Sequence, residues 1–280
     1  MDKKEKQQVQ PLTKRQQELL KITAELTPAQ LKEILSQSHI SNKKEIDVKF
    51  WHPSELTLWV VSDTHLNNKQ CDIDSLHKFY EDADKEWVDA FIHAGDLTDW
   101  INVYKWQIYE LLNLSFDDQL RYVAENYPKI DGKETYFISG NHDESWLKQW
   151  WINFGDAVSR ERLDMKHLGF YNASLKLNGF DVEMQHGWGS SPYAASYHLQ
   201  RFMERIPQEV HLDLRVLWHY HRELSMLYRG ALAMLPWAFL KENLLAKRFK
   251  LGNNISGSVV KLKRNEDGKL EFLPHMFKYK

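Results

Sequence analysis

Leu58-Trp59-Val60-Val61 runs, one residue later, into Asp63-Thr64-His65, and this junction of an apolar run with a polar cluster decides the fold. A short continuous apolar run, rich in β-branched and aromatic residues, reads as a buried strand. The arrangement recurs. Ala90-Phe91-Ile92 precedes Gly95-Asp96, Thr135-Tyr136-Phe137-Ile138 precedes Gly140-Asn141-His142-Asp143, and Val216-Leu217-Trp218 precedes His219-Tyr220-His221. A fifth cluster, His186-Gly187, ends a hairpin whose arms, 172–177 and 180–185, flank the turn dipeptide Asn178-Gly179. Polar groups at successive strand C-termini describe an α/β sheet whose rim carries a site. Their carboxylates, imidazoles and single carboxamide form the mixed O/N donor set that suits Mn, Fe, Zn or Ni.

A chain of 280 residues is long enough for one large catalytic domain with a small appendage. Its formal net charge of -2 argues against wholesale coating of nucleic acid. The charge is uneven, however: residues 241–280 hold ten Lys/Arg against four Asp/Glu, a local +6. That stretch reads either as a solvated face or as a phosphate-facing surface. The single cysteine, Cys71, leaves no internal disulfide and fits a reducing cytosol. The start, Met1-Asp2-Lys3-Lys4-Glu5-Lys6, lacks the apolar region of a secretory signal. No run of ~18 apolar residues exists to span a membrane. The expectation is a soluble cytoplasmic protein with no membrane partner.

Two domains are expected. Residues 1–45 hold a charged, Gln-rich disordered tail and two short helices, the second opening with Thr27 as N-cap and Pro28 at its first position. Two short helices with a tight turn resemble a helix-turn-helix, and they read equally as a packing appendage. Residues 38–54 read as a polar linker, and the main domain fills 46–280. Within it, 73–90, 100–127, 145–154 and 191–205 read as helices, and 256–263 with 270–273 as a closing hairpin. Trp100, Tyr104, Trp106 and Tyr109 read as packing aromatics rather than base-stacking platforms.

Asp63-x-His65, Gly95-Asp96, Gly140-Asn141-His142-Asp143, His186 and His219-x-His221, in that order, resemble the calcineurin-like metallophosphoesterase superfamily over roughly residues 55–275. The resemblance implies an α/β fold, a four-layer sandwich of two mixed β-sheets flanked by helices, here with a small N-terminal helical appendage. It implies two divalent metal ions, Mn first, with Fe, Zn or Ni as alternatives. Asp63, His65 and His221 would hold one ion, Asn141, His186 and His219 the other, and Asp96 both. A bridging carboxylate reduces repulsion between cations ~3.5–4 Å apart, and the shared hydroxide attacks phosphorus in line. His142 would face the substrate, either donating a proton to the leaving oxygen or stabilising the transition state, with Asp143 orienting its ring. One departure is Trp218, where the family usually has Gly before its His-x-His.

The resemblance also bears on the substrate. Ser/Thr phosphoprotein phosphatases carry an Arg where Trp100 follows Asp99, and a Glu where Asp143 stands, so protein dephosphorylation is not expected. The segment Gly187 to Tyr197, rich in small residues and Tyr, is similar to a loop in nuclease-like phosphoesterases of phages and prophages. The leading expectation is a phosphodiesterase or nuclease acting on DNA. A small-molecule or nucleotide phosphatase, or a cyclic-nucleotide phosphodiesterase, is the alternative. A non-catalytic scaffold comes last, because no ligand is missing.

Overall fold

The computed structural model describes residues 46–100, 103–187, 189, 194, 196–207, 210–249 and 254–279. The tail and helix pair expected within 1–45 lie outside them. In chain order the elements begin with β1 (Ile46–Val48), β2 (Glu55–Val61), α1 (Ile73–Lys85) and β3 (Ala90–Ala94). A single 3₁₀ turn, Gln107–Glu110, leads to α2 (Phe116–Asn126), β4 (Thr135–Ser139), α3 (Asn141–Trp150), α4 (Phe154–Glu161) and β5 (Met165–Phe170). Then come β6 (Asn172–Leu177), β7 (Phe180–His186), α5 (Tyr197–Glu204), β8 (Leu214–Trp218), β9 (Leu224–Tyr228) and β10 (Ala231–Leu235). The helix α6 (Leu244–Phe249) and the strands β11 (Ile255–Arg264) and β12 (Leu270–Tyr279) complete the chain.

Period-2 alternation sorts these strands into two six-stranded sheets. Leu58 and Val60 of β2 enter one buried cluster, while Trp59 and Val61 enter another. Phe91 and Phe137 turn the same way as Trp59, and Ile92 and Ile138 the same way as Val60. β2, β3, β4 and β5 run parallel, and β11 and β12 extend them antiparallel in the order β12-β11-β2-β3-β4-β5. The second sheet is ordered β1-β6-β7-β8-β10-β9 and is mixed as well. Between the sheets lies the first cluster, where Leu58, Val60 and Ile92 meet Val182, Met184, Val216 and Trp218.

Helices cover both outer faces. Leu76, Phe79, Tyr80 and Ala83 recur at helical spacing on α1 and pack with Trp59, Phe91 and the aromatics of α3 and α4. Asp72, Ser115 and Asn153 cap α1, α2 and α4 by accepting a backbone N–H. Leu199, Phe202 and Met203 of α5 close the other face against Leu217, Ala231 and Ala233. The result is the expected four-layer sandwich.

Three local expectations need correction. The polar stretch 38–54 contains a strand: Ile46 and Val48 pair parallel to Leu175 and Leu177, and Asn178 ties the following turn by accepting from Phe50 N–H and donating to Glu55 O. Helix 100–127 is not continuous, because Trp106 takes a left-handed φ of 76° and leaves only the 3₁₀ turn before α2. Helix 145–154 starts earlier, at Asn141 inside the third cluster, and stops at Trp150, where Trp151 turns left-handed at φ 59°. The Asn178-Gly179 turn is as expected, with φ of 54° and 82°, the left-handed pair a tight hairpin demands.

Candidate metal centre

All five clusters come together at the C-terminal ends of β2, β3, β4, β7 and β8. The first sheet supplies Asp63, His65, Asp96 and Asn141; the second supplies His186, His219 and His221. Asp63, His65 and His221 bring ligand atoms within 4.8 Å of one another, and so do Asp96, His186 and His219. These are the two groups expected for the two ions. Asn141 joins the second, its Oδ1 standing 3.1 Å from His186 Nε2. Trp218 does not disturb it: the indole is buried between the sheets, and the His219 ring lies 5.3 Å from that of His186.

Holding seven donors in so small a space strains the backbone. Asp63, His65, Asp96, His219 and His221 all have positive φ, between 46° and 95°. Each non-glycine residue in such a conformation costs about 1–3 kcal/mol, which the surrounding fold has to offset. Part of the offset comes from His93, buried beneath the rim. Its Nδ1 accepts the Gly95 N–H, its Nε2–H donates to Thr64 Oγ1 at 3.0 Å, and Thr64 donates on to Leu97 O. Burial keeps this imidazole neutral, with its pKa pushed down to about 3. His65 N–H also donates to Asp96 O at 3.0 Å, locking the first two ligand loops together.

Hydrogen bonds fix how the ligands point. His186 donates Nδ1–H to Ala94 O at 2.9 Å, which turns Nε2 toward the site, 3.1 Å from Asp96 Oδ2, as the nitrogen that would face an ion. His65 likewise donates Nδ1–H to Asp99 Oδ1 at 2.8 Å. Its Nε2 and the Oδ1 of Asp63 are buried without any hydrogen-bond partner. Orphaned buried polar atoms are costly, and two of them facing one another across a ligand group fit a divalent cation. The charges agree. Burial opposes ionisation of Asp63, Asp96 and Asp99, yet the histidines beside them hold all three well below the usual carboxylate range. Burial also opposes protonation of His186, but Asp96 raises it to about 9. Such negative potential, here met by protons, is what metal ions would neutralise.

His142 stands at the start of α3, where its backbone N–H donates to Asp96 Oδ1 at 2.8 Å. Its Nδ1–H donates to Asp99 Oδ1 and its Nε2 faces Asp96 Oδ2 at 3.9 Å. Burial again opposes the charge, and Asp96 and Asp99 raise the imidazole to about 9. The expectation that Asp143 orients this ring is not met. As the third residue of α3, Asp143 turns back and accepts the N–H groups of Gly140, Leu97 and Thr98 at 2.9–3.2 Å. Asp143 therefore holds the second and third clusters together, and Asp99 is the carboxylate that orients His142. Asp99 lies three residues after Asp96 in the same loop, a signal available in the sequence.

Other readings change too. Trp100 is packing, as expected, but Trp106 and Tyr109 are exposed. In the basic C-terminal stretch Lys261, Lys263, Arg264 and Lys278 pair with Glu86, Glu55, Asp213 and Glu223, which favours the solvated-face reading. No helix among the described residues is long and apolar enough to cross a membrane.

With the fold and centre in place, comparison with known proteins gives the class. The family model of the calcineurin-like phosphoesterases matches residues 56–242, two thirds of the chain, and the chain belongs to that family. It is a metal-dependent phosphoester hydrolase. No curated protein sequence matches it. Among solved structures it is similar to an archaeal phosphodiesterase at 11% identity, covering 79% of this chain and 100% of that one, TM-score 0.45. It is similar to Vps29 of Chaetomium thermophilum at 12% identity, covering 80% and 96%, TM-score 0.41. A putative 5′-nucleotidase of Staphylococcus aureus gives 13% identity, 80% and 54% coverage, and a TM-score of 0.45.

Proposed function

We propose that this chain is a phosphodiesterase that hydrolyses nucleic acid, DNA first among the candidates. The observation that carries the diester reading is Trp100. At the position after Asp99, where the protein phosphatases of the family present a guanidinium, an indole lies buried and stacked on Trp146, ring centroids 3.6 Å apart. A phosphomonoester brings a second negative charge that a bidentate Arg would meet; a diester brings one.

Two divalent ions, held by Asp63, His65 and His221 and by Asn141, His186 and His219 with Asp96 common to both, would supply charge neutralisation at the phosphate and acidification of water. The chain's own residues do the rest. His142 keeps its Nδ1–H on Asp99, so Nε2 is the atom left to hold a proton toward the site. As the P–O bond to the departing alkoxide breaks, Nε2 gives that proton to the oxygen. Asp99 fixes the tautomer and steadies the charged ring, and Asp143 keeps the loop that carries His142 seated on the loop that carries Asp96.

The test compares Mn-loaded wild type with His142→Ala on a phosphodiester reporter, a phosphomonoester reporter, and labelled single- and double-stranded DNA. The expected result is cleavage of the diester and of DNA by wild type, with turnover reduced ~10²–10⁴-fold in His142→Ala at unchanged metal content. Turnover of the monoester alone would sink the phosphodiesterase reading.

A further inference from the structure

Trp106 and Tyr109 are 57% and 67% exposed; Trp51, Trp87, Trp150 and Trp151 are exposed as well. For Trp106 and Tyr109 the exposure follows from the 3₁₀ turn they flank. Residues i and i+3 of such a turn eclipse one another. Gln107 and Glu110 form one edge and are buried; Trp106 and Tyr109 form the next and are open. The two rings stack at 6.1 Å between centroids and 25° between planes. Lys105 Nζ stands 5.0 Å from the Trp106 ring centre, and Lys69 donates to Tyr109 O at 2.9 Å; both lysines are exposed.

The turn is fastened to the catalytic centre. The Gln107 amide nitrogen packs 3.3 Å from His142 Nδ1, whose N–H is given to Asp99, while Gln107 Oε1 accepts the Val103 N–H at 3.0 Å. Glu110 accepts from the Tyr104 hydroxyl and from Leu244 N–H, and Leu112 N–H donates to Asn67 O at 2.8 Å, two residues past His65. One glutamine side chain and one Cα–Cα step separate the Trp106 Cα from His142 Nδ1, a reach of no more than roughly 12 Å. That is the span of one or two nucleotides.

Ring faces that stack unpaired bases, with ammonium groups beside them for phosphates, are how proteins grip single-stranded nucleic acid. We infer that Trp106 and Tyr109, with Lys105 and Lys69, form a subsite for an unpaired nucleobase flanking the scissile phosphate. The inference rests on the phosphodiesterase reading and names its substrate as single-stranded. It gives two exposed aromatics and two lysines a common task, and Gln107 seats that subsite beside His142.

Two measurements separate the subsite from the reaction. Binding is read by fluorescence anisotropy of a labelled single-stranded oligonucleotide and of its abasic counterpart, on the full chain with Ca²⁺ replacing Mn²⁺; turnover is read on the same pair with Mn²⁺. Wild type should bind the base-bearing strand about five- to a hundredfold more tightly than the abasic one. Trp106→Ala and Tyr109→Ala, both at exposed positions, should lose that preference while their affinity for the abasic strand stays put; Trp106→Phe should keep most of it. Equal binding of the two strands by wild type, or an undiminished preference in Trp106→Ala, overturns the subsite. Base-dependent binding without cleavage of either strand leaves the subsite standing and removes the phosphodiesterase reading.

Discussion

Gly140→Ala tests whether the centre is as tightly packed as its geometry states. A Cβ at residue 140 would sit 2.2 Å from Asp96 Oδ1 and 2.6 Å from Asp96 N, whereas Cβ atoms essentially never come closer than 3.0 Å. The carboxylate oxygen must therefore retreat by at least 0.8 Å, and the backbone nitrogen by 0.4 Å. Rotation of the side chain relieves only the first contact. The backbone is pinned by the bond from His65 N–H to Asp96 O, so the strain passes into the ligand loop. Asp96 then loses the His142 N–H bond at 2.8 Å and its 3.1 Å approach to His186. Misplacing a catalytic group by about 1 Å costs on the order of 100-fold in rate. Overpacking of this kind also destabilises by about 1–3 kcal/mol, or roughly 2–12 °C in Tm for a domain this size. The assay is kcat/KM on a phosphodiester reporter together with metal content by elemental analysis and Tm by calorimetry. Gly132→Ala is the control: its φ of +73° is unfavourable for alanine but nothing lies within 4 Å, so it should lose about 1–2 kcal/mol of stability and no activity. Gly140→Ala with full metal content and kcat/KM within threefold of wild type would refute the assignment of Asp96 to the heart of the centre.

Three further outcomes follow from the same structure. Asp99→Asn removes the charge that faces both His65 and His142, and kcat should fall ~10²–10⁴-fold with KM little changed, measured by steady-state kinetics. Removing metal with EDTA should abolish turnover and lower Tm; restoring an ion to 100 times its Kd should return about 2.7 kcal/mol, seen as a Tm rise of roughly 5–11 °C. Phe79→Ala empties the space between α1, Trp59 and Gly257 and should cost about 3–5 kcal/mol in urea unfolding, leaving kcat within twofold at low temperature.

The centre was legible in the sequence because each cluster sits directly after an apolar strand, where chain order alone carries the ligands to one rim. All seven predicted ligands meet there. What remained hidden depends on direction rather than order. Asp143 adjoins His142 in sequence, but a residue at the third position of a helix turns toward the helix N-terminus, so its carboxylate reaches Gly140, Leu97 and Thr98 instead. Asp99 is 43 residues from His142 and meets it only through the fold. β1 escaped notice although Ile46-Asp47-Val48-Lys49-Phe50 alternates apolar and polar, because the run is short, sits in a polar stretch and takes its strand conformation from pairing with β6. The aromatic stretch from Trp100 on mixes two fates. Trp100 is drawn into the core by Trp146, while a left-handed backbone at Trp106 turns the next indole outward.

Each of the two ligand groups draws on both sheets, and this has a mechanical consequence. Asp63 and His65 ride on β2, His221 on the loop after β8; Asp96 rides on β3, His186 on β7. The spacing inside the centre is thus a vernier on the gap between the two sheets, set by the side chains of Met184, Val216, Val60 and Ile92, two to four residues below the rim. Close-packed interiors transmit strain with little loss. A conservative change deep in that layer that slides one sheet against the other will register first as altered ion affinity, while the chain is still fully folded.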